Sequence, residues 1–143
     1  GGDADWTAVA AGASNTCALK GAGDLYCWGS NALALNGDAA APNPTTTPRR
    51  VGTASDWTTL DQADTFICGL RGAGDLYCWG FAQTYPNLPY RAPTQIGQER
   101  WDAISAGAAN YCGTRGGTNY CWGYNSQGAI GVGITWTPTP VEF

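Results

Sequence analysis

Histidine and methionine are absent from this 143-residue sequence, lysine occurs once (Lys20), and only 13% of residues are charged. Each shortage excludes something. Without histidine the chain lacks the side chain that titrates nearest neutrality and the commonest metal ligand. Seven basic against eleven acidic residues leave a net charge of -4. Such a chain has no electrostatic footprint for nucleic acid, whose binding rests on phosphate neutralisation. No apolar run approaches the roughly 18 residues that a membrane span needs. What is abundant points to a packed chain: 21 Gly, 7 Trp, 7 Tyr and 43% apolar residues. That composition is too apolar for intrinsic disorder, and the aromatics supply a core. The chain opens Gly1-Gly2 without Met, as expected of a mature segment released from a leader or longer precursor.

Six cysteines stand at positions 17, 27, 68, 78, 112 and 121. An even count in a short, His-free chain predicts disulfides and an oxidising compartment, hence an extracellular or cell-surface location. Zinc would require closely spaced Cys-x-x-Cys pairs converging on one ion, and none occurs.

Internal repetition sets the organisation. Asp24-Leu25-Tyr26-Cys27-Trp28-Gly29 recurs as Asp75-Leu76-Tyr77-Cys78-Trp79-Gly80, and again as Thr118-Asn119-Tyr120-Cys121-Trp122-Gly123. Upstream of each lies a second matching block, starting at Trp6, Trp57 and Trp101. Within a unit the period is two. Residues 16–20, then Gly21-Ala22-Gly23, then residues 24–28 read as a tight hairpin. Folding it about Ala22 sets Lys20 opposite Asp24, Leu19 opposite Leu25 and Cys17 opposite Cys27. The second copy, folded about Ala73, sets Arg71 opposite Asp75 and Cys68 opposite Cys78. In the third the turn has lost one residue, and the cysteine spacing shrinks from ten to nine so that Cys112 still meets Cys121. Opposed residues in an antiparallel pair lie within disulfide reach. The predicted bridges are therefore Cys17–Cys27, Cys68–Cys78 and Cys112–Cys121.

These blocks resemble the regulator of chromosome condensation (RCC1) repeat. The shared features are Trp-x-x-Val-Ala-Ala-Gly, a hairpin with Cys-Ala-Leu, then Leu-Tyr-Cys-Trp-Gly-x-Asn and a Thr-Pro-x-x-Val strand. That last strand corresponds to Thr47-Pro48-Arg49-Arg50-Val51, Ala92-Pro93-Thr94-Gln95-Ile96 and Thr139-Pro140-Val141. The family's Asn-x-x-Gly-Gln-Leu-Gly stretch survives loosely at Asn125–Gly131, is degenerate at Asn31–Gly37, and is absent between Phe81 and Arg91. The resemblance implies an all-β chain of three propeller blades, each a four-stranded antiparallel sheet. Its members include nucleotide-exchange factors, chromatin binders and a secreted enzyme inhibitor, so it implies a fold without transferring an activity.

Closed propellers have roughly four to eight blades, and three are too few to surround an axis. Taken in sequence order, the repeats divide as 1–46 (repeat 1, lacking its first strand), 47–91 (repeat 2) and 92–138 (repeat 3). A donor edge strand remains at Thr139, Pro140, Val141, Glu142 and Phe143. That phase predicts head-to-tail strand complementation between copies, a heterologous contact that closes a ring or grows a filament. The alternative is that the chain is part of a larger propeller.

For chemistry the residues offer little. With no histidine and the cysteines assigned to bridges, Ser-His-Asp triads and Cys–His pairs are out, and no glycine-rich segment has a phosphate-cradling pattern. Asp24 and Asp75 read as cross-strand partners of Lys20 and Arg71. Asp5, Asp56 and Asp102 read as strand-edge solvation, and Asp61 with Asp64 is a weak cation signal. Trp28, Trp79 and Trp122 read as inter-blade core in preference to a sugar-stacking ring. Among irregular aromatics, Tyr85, Tyr90, Tyr124 and Trp136 are the candidate ligand contacts. The Thr/Pro tracts at 42–48 and 135–140 suit stiff connections into a Pro-marked edge strand and can accept O-linked sugars. The expectation is a non-enzymatic extracellular structural or scaffold module without cofactor or metal, whose partner is itself. The alternative is a glycan- or protein-binding propeller, lectin-like or inhibitor-like, acting through its variable loops.

Overall fold

The computed structural model describes residues 4–81, 89–134 and 136–143. They form twelve strands and no helix: β1 (Trp6–Ala11), β2 (Asn15–Lys20), β3 (Asp24–Gly29), β4 (Thr45–Arg50), β5 (Trp57–Gln62), β6 (Phe66–Arg71), β7 (Asp75–Phe81), β8 (Pro89–Arg100), β9 (Ala103–Ala106), β10 (Asn110–Arg115), β11 (Thr118–Tyr124) and β12 (Trp136–Glu142). These make three antiparallel four-stranded sheets, ordered β1-β2-β3-β4, β5-β6-β7-β8 and β9-β10-β11-β12.

The central hairpins have the register their turns dictate. Lys20 pairs Asp24, Leu19 pairs Leu25 and Cys17 pairs Cys27. Arg71 pairs Asp75 and Cys68 pairs Cys78. In the third sheet Arg115 pairs Thr118, and Cys112 again meets Cys121. All three predicted disulfides are present, each with Cα atoms 4.1 Å apart. Three bridges of this kind belong to an oxidising, extracellular-type environment.

The phase of the repeat differs from the sequence expectation. Within the chain, Thr139–Phe143 lies along the edge of its own sheet. Val141 pairs Cys121 and Glu142 pairs Tyr120 within the third sheet, and the Phe143 N–H points to the Asn119 carbonyl at 3.4 Å. Likewise β4 closes the first sheet, where Tyr26 pairs Arg50, so that sheet lacks no strand. The sheets therefore span residues 6–50, 57–100 and 103–142, not 1–46, 47–91 and 92–138. The reason is local. In each sheet the Pro-marked strand pairs along the free edge of the strand that carries Trp-Gly. A short return of this kind is favoured over a long crossing. The exposed Thr46–Arg50 stretch then occupies an edge, where a proline removes no central ladder bond.

Alternation along the strands gives every sheet two distinct faces. The front face carries the disulfide, beside a cross-strand leucine pair in the first two sheets and Thr114 with Asn119 in the third; the rear carries tryptophan and tyrosine. Front packs on rear twice. Cys17, Leu19, Leu25, Cys27, Leu35 and Val51 of the first sheet cluster with Trp57, Ile67 and Trp79 of the second. Phe66, Cys68, Leu70, Leu76 and Cys78 cluster with Trp101, Tyr111 and Trp122 of the third. Burying each of these side chains contributes about 1.5–3 kcal/mol, and neither partner sheet could bury its face alone. Backbone stitches reinforce the contact. The Trp57 N–H donates to the Gly23 carbonyl (3.2 Å) and the Trp101 N–H to the Gly74 carbonyl (2.9 Å). Gly23 and Gly74 have φ of +124° and +109°. A Cβ there would meet the Trp57 or Trp101 backbone, so glycine is required twice over.

Candidate functional site

Each sheet builds one aromatic triad on its rear face. In the second sheet the Trp57 ring lies 5.6 Å from Tyr77 and 5.7 Å from Trp79. In the third, Trp101 lies 5.6 Å from Tyr120 and 5.2 Å from Trp122. In the first, Trp6 lies 5.4 Å from Tyr26 and 6.1 Å from Trp28. A cation covers each triad. Arg71 sits 4.8 Å from the Tyr77 ring, Arg115 4.6 Å from Tyr120, and Lys20 5.7 Å from Trp6. Such stacking attracts the cation through the ring quadrupole.

The carboxylates take roles that differ from the sequence reading. Lys20 and Arg71 do face Asp24 and Asp75 in register, but their ion pairs run to Asp5 (3.7 Å) and Asp56 (2.7 Å). Those two acids anchor the stacking cation. Asp24 instead pairs Arg50 at 2.7 Å, and Asp75 pairs Arg100 at 3.9 Å. Register sets backbone neighbours, and long side chains reach past them. The Asp102 carboxylate accepts from the Gly116 N–H. The Asp61 carboxylate accepts the Ala106 N–H at 2.7 Å and ties the second sheet to the third. The Gln62 amide makes the matching link to the first sheet, its oxygen toward the Gly12 N–H and its nitrogen toward the Ala10 carbonyl. Among the described residues no cluster of three or more His, Cys, Asp or Glu is placed to hold a metal. No helix among them is long and apolar enough to cross a membrane.

Two loops carry a feature that sequence reading undervalued. Buried Asn31 donates to the Asp38 and Ala41 carbonyls and accepts the Asn36 N–H. Buried Asn125 donates to the Val132 and Ile134 carbonyls and accepts the Ile130 N–H. One asparagine thus organises each loop, although the surrounding motif at 31–37 looks degenerate. The signal was the asparagine's constant place two residues after Trp-Gly.

Protein structures with this arrangement are known. The family description "Regulator of chromosome condensation (RCC1) repeat" matches residues 6–33. The structure of human WBSCR16 is similar to this chain with a TM-score of 0.83 at 20% identity, over 96% of this chain and 39% of that one. Prp20p from Saccharomyces cerevisiae gives 0.81 at 20% identity, over 96% and 38%. These blades are RCC1-like. The ectodomain of the Physcomitrella patens receptor kinase CR4 follows with 0.60 at 23% identity, over 96% and 36%. The chain spans less than two fifths of each of these structures. Yeast Prp20p was described together with its binding to Gsp1p and histones, and in complex with Kap60.

In this three-blade array the two internal interfaces bury their tryptophans and the rear of blade 1 does not. Trp57 and Trp101 are 4% and 3% exposed, against 37% for Trp6. Trp79 and Trp122 are buried and Trp28 is half-buried. Val9, which corresponds to half-buried Leu60 and Ile104, is 70% exposed. The Trp79 indole N–H donates 2.9 Å to the Leu35 carbonyl of the preceding blade. The corresponding N–H of Trp28 makes no hydrogen bond to the described residues. The described residues thus leave the donor and the apolar surface on the rear of blade 1 uncovered.

Other candidates divide. Tyr85 lies outside the described residues. Tyr90 is half-buried against the first core cluster, where it packs the loop. Tyr124 is 52% exposed and pairs Trp136 across β11 and β12, so these two positions are brought together at one edge. Thr139 and Pro140 help line a cleft of about 270 Å³ between blades 2 and 3, with Ile96, Trp101 and Arg115. A related cleft of about 350 Å³ lies between blades 1 and 2, beside Val51, Trp57, Arg71 and Pro93. Tyr111, in the second interface, has a buried hydroxyl without a partner. Desolvation by burial, with the Asp61 carboxylate adding to it, holds its phenol well above the ordinary range.

Proposed function

We propose that this chain is a non-enzymatic, extracellular protein-docking module whose assembly contact is an open blade face. The observation that carries the reading is the rear of blade 1. It presents the same tryptophan–tyrosine–tryptophan set and aliphatic position whose tryptophans the fold buries at both internal interfaces. An apolar sheet face rimmed by charge is the mark of an association surface. β12 lies along the edge of blade 3's own sheet, and this reading assigns assembly to a blade face. Partner recognition by the RCC1-like neighbours, which bind proteins, points the same way.

The test is light scattering of the unreduced chain over a wide concentration range, beside Val9→Asp. The expected result is reversible, concentration-dependent association that Val9→Asp abolishes without changing the folded signal. A mass that stays at 14.9 kDa throughout, unaffected by Val9→Asp, would refute the reading. A second reading, glycan binding, rests on the pairing of exposed Tyr124 with Trp136. Glycan-array binding lost on Tyr124→Ala and kept in Val9→Asp would support it over the first.

A further inference from the structure

The two clefts between neighbouring blades are built from equivalent positions and differ in charge. Every blade stacks a cation on its tryptophan and tyrosine. In the first two, the aspartate just before the tryptophan holds that cation. Asp5 lies 3.7 Å from Lys20, and Asp56 lies 2.7 Å from Arg71. In the third blade the residue before the tryptophan is Arg100, which turns to Asp75 at 3.9 Å. Asp102, on the other side of Trp101, accepts the Gly116 N–H at 2.8 Å. Arg115 therefore stacks 5.3 Å from Trp101 and 4.6 Å from Tyr120 with no carboxylate within 4.0 Å among the described residues. It is half-buried, and it lines the cleft of about 270 Å³ between blades 2 and 3 with Ile96, Glu99 and Pro140.

We infer that the cleft between blades 2 and 3 is a carboxylate-binding site, and that its occupant is an aspartate or glutamate side chain in an extended segment of a partner protein. The site is separate from the rear of blade 1 and does not depend on it. A guanidinium offers its N–H groups as a rigid fork that matches the two oxygens of a carboxylate, and it is weakly hydrated enough to make that pair inside a cleft. A bound carboxylate would give Arg115 what Asp56 gives Arg71. Glu99 selects among anions, because its negative charge repels a dianion such as phosphate more than a singly charged carboxylate. The volume lies below the roughly 300–1,000 Å³ of sites that hold cofactor-sized molecules. It suits a single side chain, with Ile96 and Pro140 for its methylenes. The bordering main chain favours a peptide over an acidic sugar. Ile96, Gly97 and Glu99 belong to β8, the edge strand of its sheet, and an edge offers N–H and C=O groups that an extended segment pairs with.

The test moves the missing acid. The probes are the blocked peptide acetyl-Ala-Glu-Ala-Glu-Ala-amide, its glutamine counterpart, glucuronic acid and inorganic phosphate. Each is titrated into the unreduced, 15N-labelled chain at low salt, where screening is weak, and the arginine Nε–H signals are followed by NMR. The glutamate peptide should shift the Arg115 signal saturably, and the glutamine peptide should bind roughly tenfold more weakly or worse. Arg115→Gln removes the fork and should weaken peptide binding by roughly tenfold or more. Arg100→Asp leaves the fork in place but returns an aspartate to the position that neutralises Arg71 in blade 2, and it should weaken binding as much. Asp56→Asn does the reverse, and Arg71 should then respond to the glutamate peptide. Mass spectrometry for three closed disulfides and a wild-type circular dichroism spectrum confirm that each variant is folded. An unmoved Arg115 signal, equal binding of the two peptides, or full binding by folded Arg100→Asp overturns the inference. A silent Arg71 in folded Asp56→Asn overturns the charge comparison on which it rests. Tighter binding of phosphate overturns the carboxylate assignment, and tighter binding of glucuronic acid overturns the peptide in favour of an acidic sugar.

Discussion

Trp79 and Trp28 occupy the same position in successive blades, and replacing each with phenylalanine separates a covered face from an open one. Trp79 is 1% exposed, packs edge-on against Trp57 and donates to the carbonyl of Leu35, itself 3% exposed. Trp79→Phe removes the donor and leaves a buried acceptor unpaired, at about 1–3 kcal/mol. The smaller ring adds a void of roughly 40 Å³, worth about 1 kcal/mol at the usual cavity rate. The sum is about 2–4 kcal/mol. At about 4 °C per kcal/mol for a chain of this size, thermal unfolding should shift down by roughly 8–16 °C. Trp28 is half-buried, and its N–H meets no acceptor among the described residues. Trp28→Phe should therefore cost less than about 1 kcal/mol, the ordinary range for a partly exposed site with no buried partner. Calorimetry of the two unreduced variants at neutral pH reads the difference directly. Equal losses would mean that the rear of blade 1 is already covered in the particle, and the docking argument would fail.

The glycine turns make the same comparison at the backbone. Gly74→Ala should destabilise by about 2 kcal/mol or more, from positive-φ strain plus collision with the Trp101 carbonyl, while Gly117→Ala should cost only the strain, about 1 kcal/mol; urea titration measures both. Tyr111→Phe removes a buried hydroxyl without a partner and should be neutral or stabilising by up to about 1–2 kcal/mol at pH 7. The folded phenol is raised above its unfolded value, so its stabilising effect is complete below pH 10 and lost as pH climbs beyond it, where the unfolded chain ionises first. Stability should fall above pH 10 in the wild type, and less in Tyr111→Phe. Under limiting reductant the Cys112–Cys121 bridge should open first, because Cys112 is half-buried on an open face while Cys17, Cys27 and Cys68 are fully buried. Alkylation followed by peptide mapping gives the order, and earlier reduction of Cys68–Cys78 would contradict the assigned interfaces.

Hairpin register, disulfide pairing and the recurring tryptophans were all readable in the chain, because each depends on residues within about a dozen positions. A glycine turn of known length decides which residues oppose one another, so the one-residue deletion at Gly116-Gly117 and the shortened cysteine spacing explain each other without a structure. The fourth strand was different. Thr139–Phe143 has the same local pattern whether it completes its own sheet or another's, and only the path of the loop after Trp122-Gly123 decides. That path is set by Asn125 bonding to Val132, Ile134 and Ile130, contacts that no strand periodicity announces. Likewise the acids at 5, 56 and 61 are ordinary polar residues until side chains from other strands and blades converge on them. Exposure is the last such property. Alternation gives every blade two distinct faces, and the presence or absence of a neighbouring sheet determines which of them meets water.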